Sequence, residues 1–232
     1  MIRRLALLLA AACLLAGCGE EAAGEGSARL WVTRDRGAEV VLSTTVPAGI
    51  SALEALRRKA EVETRYGGRF VQAIDGIEGD IAAQHDWFYF VNGYEADISA
   101  ADYELHDGDV LWWDHRSWEG QMRQPVVVGA FPEPFLHGWD GKKRPAVVLY
   151  RDERLKETAT KLARIVDGSI ASGHPLLPQG ANVITITAGD RFFVPHFSGN
   201  PGDRVAFEIG DKAARRLADD PTIARYRYEG LP

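Results

Sequence analysis

Apolar positions recur at two periods along this chain, and the changes of period mark its elements. Leu30-Trp31-Val32-Thr33 and Val40-Val41-Leu42-Ser43 are β-rich runs on either side of Arg36-Gly37, which predicts a hairpin. Ser51-Ala52-Leu53-Glu54 has the order of a capping box and opens a helix to about Val62, with Leu53, Leu56 and Ala60 on one face. Gly67-Gly68 breaks the chain. Residues 70–74 then read as a strand closed by Asp75-Gly76. The β-prone run Trp87-Phe88-Tyr89-Phe90-Val91 leads directly into Asn92-Gly93. That dipeptide suits a type I′ turn, because both central residues need positive φ, so Tyr94-Glu95-Ala96 returns beside the run. Asp107-Gly108-Asp109 forms another turn, and residues 110–115 form the last strand of the block. The order β-β-α-β-β-β predicts an α+β fold: a small mixed sheet with one helix packed across it.

A second block begins at Pro125. Residues 126–128 and 146–150 are strand-like, separated by AFPEPFLHGWDGKKRP. Asp152 is placed to cap a helix carrying Leu155, Ala159, Leu162 and Val166, with Gly168 as its stop. Residues 182–187, 191–194 and 204–209 complete the strands. The expectation is a second α+β unit over 125–232, with no internal repeat.

The N-terminus bears on location. Met1-Ile2-Arg3-Arg4 is a short basic start, and the apolar run that follows is too short to span a bilayer stably. Leu15-Ala16-Gly17-Cys18 resembles the bacterial lipobox. The resemblance implies a signal peptide over 1–17 and a diacylglyceryl group on Cys18. It implies an extracytoplasmic protein held at the cell membrane as a lipoprotein. An ordinary secretory signal is the alternative. The small, acidic stretch GEEAAGEGS within 18–28 reads as a tether that reaches about 30 Å, at roughly 3.3–3.6 Å per residue. Only Cys13 and Cys18 are present, so the mature chain has no disulfide framework. The formal charge of −6 becomes −8 without Arg3 and Arg4, as 25 bases then face 33 acids. An acidic surface argues against nucleic acid as a partner.

Gly68-Arg69-Phe70-Val71-Gln72-Ala73-Ile74-Asp75-Gly76, the Trp87 to Gly93 segment, Ala101-Asp102-Tyr103, and Asp107-Gly108-Asp109 leading to Trp118 occur in order and spacing. Together they resemble the C-terminal β domain of the transcobalamin and intrinsic-factor proteins. The resemblance covers under half of the chain and implies a β-grasp-like domain over 29–120. In transcobalamins this sheet covers one face of cobalamin. The family's aromatic-Trp-Gln segment aligns with Asp86-Trp87-Phe88, and its terminal tryptophan with Trp118. Phe88 stands where the family has glutamine, so that polar contact is absent. Nothing here resembles the helical barrel that completes the transcobalamin clamp.

The ribbon HDGDVLWWDHRSW carries the densest chemistry. On a strand, Val110, Trp112, Asp114 and Arg116 face one way, and Leu111, Trp113 and His115 the other. The plain expectation puts one tryptophan in the sheet–helix core and leaves the other partly exposed. The functional expectation is a ligand platform drawn from Trp87, Phe88, Tyr89, Trp113, His115 and Trp118. A planar ligand, cobalamin among the candidates, would be captured there and passed to a transporter permease. A protein-binding module without a small ligand is the alternative. His115 is also a candidate axial ligand for cobalt, although a lone histidine is more often simply hydrogen-bonded. The pairs His85-Asp86 and His106-Asp107 are poor metal pairs, since neighbours on a strand face apart.

No enzyme is expected. The sequence has no GxSxG, phosphate loop, HExxH or CxxC. Ser172-Gly173-His174 and His137-Gly138 are the only loops that suggest a hydrolase, and histidines in such turns are usually solvated. Asp219-Asp220 beside Pro221 reads as a helix end or turn. Lys142-Lys143-Arg144 is too small to bind anionic lipid alone.

Overall fold

The computed structural model describes residues 26–190, 192–197 and 199–232. The expected signal segment, Cys18 and most of the tether lie outside the described residues. The fold is α+β. Its first part runs β1 (Ser27–Arg34), β2 (Glu39–Pro47), α1 (Ala52–Arg57), β3 (Val62–Arg65), β4 (Phe70–Ile74), β5 (Ile77–Glu78), β6 (His85–Val91), β7 (Tyr94–Glu95) and β8 (Val110–Ser117). Five of these strands make one sheet in the order β2-β1-β8-β6-β7, and β3-β4-β5 make a small second one. The central pair β1 and β8 is parallel, with Trp31 beside Trp112 and Val32 beside Trp113. The neighbouring pairs are antiparallel.

Local chemistry explains these elements. The Ser51 hydroxyl accepts the Glu54 N–H at 3.1 Å, capping α1. Asn92 and Gly93 have φ of 50° and 84°, the left-handed pair that reverses β6 into β7. The helix is shorter than its pattern suggested. It stops at Arg57, and Val62 pairs with Ile74 across β3 and β4. The β-branched Val62 and Thr64 serve that ladder better than a further helical turn.

The second part contains β9 (Ala146–Tyr150), α2 (Lys156–Ile165), β10 (Ser169–Ser172), β11 (Asn182–Thr187), β12 (Phe193–His196), β13 (Ala206–Gly210) and α3 (Asp211–Asp219). Its sheet has the order β10-β9-β11-β13-β12, parallel except for β12. Leu155, Ala159, Leu162 and Val166 are buried along α2, as their spacing required. Residues 126–128 are not a regular strand. They contribute one bridge, Tyr94 to Val126, and bury their side chains between the two sheets. Only the end of α3 was anticipated, at Asp219-Asp220; its body was missed although Ala213, Ala214 and Leu217 mark one buried face.

The expectation of one exposed tryptophan on β8 is corrected. Trp112 and Trp113 are both buried. Trp113 faces the α1 side with Leu30, Val32, Leu53 and Leu56. Trp112 faces the opposite side with Trp31, Phe90, Val127 and Tyr228. The C-terminal tail closes that second face. The Tyr228 hydroxyl donates to Asp114 Oδ2 at 2.7 Å, and Asp114 Oδ1 accepts from Thr33 at 2.5 Å and from the Gly37 N–H at 3.2 Å. The Trp112 indole N–H donates to Thr33 Oγ1 at 2.7 Å. A buried carboxylate is tolerated here because donors surround it.

Candidate functional site

β8 pairs with β6 along its whole length on one side, but the short β7 covers only part of the other side. β7 pairs only with Phe90 and Val91 of β6. Just beyond β7 the Tyr89 carbonyl still accepts the Ala96 N–H at 3.0 Å, so the edge of β6 is open over residues 86–88, and a cavity of about 420 Å³ opens there. Its walls include Trp87, Phe88, Tyr89 and Trp113, together with Leu53, Phe70, Ile98 and Met122. Volume and apolar walls both fall in the range of small-molecule sites. Four of the six platform residues thus share one cavity.

They do so as walls rather than as an exposed slab. Tyr89 stacks on Trp113 with ring centroids 4.9 Å apart and an interplanar angle of 23°. The Tyr89 hydroxyl is anchored on the Ile98 carbonyl at 2.8 Å, and burial raises its pKa. The Trp87 indole N–H is held by the Ile77 carbonyl at 2.8 Å. The Trp113 indole N–H is buried without a hydrogen-bond partner. An unmade bond of that kind costs about 1–3 kcal/mol. Phe88 is half-buried and backed by Arg116, whose guanidinium carbon lies 3.7 Å from the ring centroid. Arg116 is fully buried, tied to Glu95 at 3.2 Å and to the carbonyls of Ser117, Gln121 and Met122. The anchored rings form a preorganised wall.

Polar groups sit at the margins. Asp86 and Glu95 both line the cavity, and burial raises the pKa of each. Arg69, paired with Asp102, and Arg123 mark the cationic side of the mouth. Large apolar side chains are exposed around it: Phe70, Ile98 and Met122 on the cavity itself, with Tyr66 and Ile81 along an adjoining groove that shares Phe70 and Asp86.

His115 and Trp118 are placed elsewhere. His115 is buried, with Nε2 3.2 Å from the Glu78 carbonyl and its ring against Trp87 and His85. Burial lowers its pKa. Trp118 is half-buried, its backbone N–H bonded to the Gln84 carbonyl at 2.8 Å. Among the described residues no cluster of three or more His, Cys, Asp or Glu is arranged to hold a metal ion. Leu53, Phe70, Ile98 and Met122 were missed as cavity walls because they come from four separate segments; Leu53 lies in the capping-box stretch and Phe70 in the segment from Gly68 to Gly76, but nothing local shows that they meet.

Residues 49–117 match the family model "Domain of unknown function (DUF4430)". No curated protein sequence matches the chain. Among solved structures, a "putative metal binding protein" from Ruminococcus gnavus ATCC 29149 is similar at 18% identity and a TM-score of 0.34, over 40% of this chain and 98% of that one. Haptocorrin in complex with Cbi is similar at 18% identity and a TM-score of 0.33, over 39% of this chain and 25% of that one. No described helix is long and apolar enough to cross a membrane.

Proposed function

We propose that this protein is an extracytoplasmic binding module, anchored through a lipid on Cys18, that takes a small planar ligand into the cavity at the open edge of β6. The observation that carries the proposal is the wall of Trp87, Tyr89 and Trp113 on one face of the sheet, with Phe88 reaching the same cavity around the β6 edge from the other face, backed by Arg116. Rings already ordered lose little entropy on binding, which favours affinity. A corrinoid would be held by one edge, with the rest of the macrocycle left to a permease or another partner. A smaller aromatic ligand would enter whole. The proposal assigns no bond-breaking step.

Titration of the purified protein with cobinamide and cobalamin, followed by tryptophan fluorescence and by retained colour after gel filtration, tests the corrinoid form. Saturable quenching beyond the inner-filter effect supports it. Its absence removes corrinoids as the ligand class. A second reading rests on the uncovered β6 edge and the exposed Phe70, Ile98 and Met122. An extended peptide can add to such an edge as a strand while its side chains fill the cavity. Recovery of one specific partner from membranes, unaffected by small ligands, would favour that reading.

A further inference from the structure

The second sheet carries a cavity of its own. In order β10-β9-β11-β13, the chain leaves β9 towards β10 on one side, and β11 then lies on the other side of β9. The strand order therefore reverses between β9 and β11. In open parallel sheets the loops that follow the strands part at such a place, and ligands bind in the gap beyond the carboxyl ends. Here the gap measures about 430 Å³. Its walls come from the segment after β9 (Arg151, Asp152, Arg154, Leu155), the end of β11 (Ile186, Thr187, Ala188) and the start of α3 (Asp211, Arg215). The aromatic cavity at β6 shares none of these residues.

The charges at this gap are not balanced. Asp152 is occupied by Arg154, with Nη2 2.5 Å from Oδ2. Asp211 accepts the Gly189 N–H at 3.1 Å. The side chains of Arg151 and Arg215 make no hydrogen bond or ion pair with any described residue, although the pKa of Asp152, lowered chiefly by its hydrogen bonds with Arg154, is lowered a little further by the nearby charge of Arg215. Three guanidiniums against two carboxylates leave the lining net positive, in a protein whose overall charge is −6. Buried Leu155 and Ile186 supply an apolar inner wall.

We propose that this gap binds a phosphate monoester on a small apolar body, with Arg151 and Arg215 holding the phosphate and Leu155 and Ile186 contacting the body. A guanidinium fork matches phosphate oxygens in pairs, and two forks suit a doubly charged group better than a single carboxylate. Asp152 directs its hydrogen bonds to Arg154, which leaves the guanidinium donors of Arg151 and Arg215 for a ligand.

Phenyl phosphate is the probe, titrated calorimetrically into the purified full chain at low ionic strength. Saturable binding is expected. Arg151→Gln with Arg215→Gln should weaken it roughly tenfold or more, the scale of a lost charged hydrogen bond, while leaving the melting temperature unchanged. Inorganic phosphate should bind more weakly than phenyl phosphate, because it cannot reach the apolar wall. Ala96 also lines the β6 cavity, so an Ala96→Trp variant, which puts an indole into it, should bind phenyl phosphate as the parent does. No binding up to roughly 10 mM would overturn the proposal, as would equal affinity in the double arginine variant. Loss of binding in Ala96→Trp alone would place the probe in the β6 cavity and also overturn it. Inorganic phosphate binding as tightly as the ester would overturn the assignment of an apolar body.

Discussion

Tyr228→Phe isolates the bond that fastens the C-terminal tail over the first sheet. The hydroxyl donates to Asp114 Oδ2 at 2.7 Å, at a carboxylate with no solvent exposure. Burial, with the Asp114 charge next, raises the pKa of this tyrosine, so it remains a donor at neutral pH. The phenylalanine ring keeps its edge contacts with Phe90 and Trp112, both with centroids at 5.6 Å. Asp114 keeps Thr33 and Gly37 as donors. The loss is therefore one hydrogen bond to a charged group, about 1.5–3 kcal/mol. At about 2–4 °C per kcal/mol for a chain of this size, the melting temperature should fall by roughly 3–12 °C. Tyr228→Ala removes the ring as well, costs about 3–5 kcal/mol, and uncovers Trp112. Urea unfolding followed by fluorescence and far-UV circular dichroism measures both variants, with a red-shifted native emission expected only for the alanine. Because Trp87, Tyr89 and Trp113 lie on the face opposite Tyr228, ligand response should survive in Tyr228→Phe. A change within about 0.5 kcal/mol for Tyr228→Phe, or no red shift for Tyr228→Ala, would refute the view that the tail seals this face.

Three further outcomes are expected. Ala96→Trp should abolish fluorescence quenching by any planar ligand at the β6 cavity while the circular dichroism spectrum stays native; unchanged quenching would move the site elsewhere. Asn92→Ala should cost about 3–5 kcal/mol in urea unfolding, because the fully buried amide serves Asp109 at 2.6 Å, the Gly138 carbonyl at 2.8 Å and the Val110 N–H at 2.8 Å from a residue with φ of 50°. The side-chain bond from His137 to buried Glu133, 2.7 Å away, raises the pKa of His137. A raised pKa stabilises the fold fully below the unfolded value of about 6.5, and the contribution is lost as pH rises through the folded value. The stability gap between the parent and His137→Ala should therefore narrow as pH increases above about 6.5, measured by urea unfolding at several pH values; a gap that widens would contradict the assignment.

The local elements were readable because each is specified by near neighbours. Asn92-Gly93 takes its turn from two backbone conformations, and Ser51 caps α1 through one residue three places away. Period-two alternation sent Trp112 and Trp113 to opposite faces of β8, where they lie. What alternation cannot tell is whether a face meets solvent, since that depends on what covers it. Trp112 is buried by Tyr228, which is more than a hundred residues distant in sequence, and Val127 and Ala130 complete the cover without forming a strand.

The candidate sites divide along the same line. Trp87, Phe88, Tyr89 and Trp113 could be singled out because aromatic residues crowd two short windows; the Asn92-Gly93 hairpin joins β6 to β7, and only the tertiary pairing of β6 with β8 sets Tyr89 beside Trp113. Their role as cavity walls arises from the two-residue length of β7 and from Leu53, Phe70, Ile98 and Met122, which converge from separate segments. His115 left the group because β5 brings a carbonyl to its ring. Arg151 and Arg215 had no visible link at all until parallel strands aligned their carboxyl ends. Side-chain type and spacing thus settled which residues are rigid and apolar, because those are properties of short windows. Only long-range packing settled which of them stand around empty space, because a cavity is a property of every chain segment that fails to fill it.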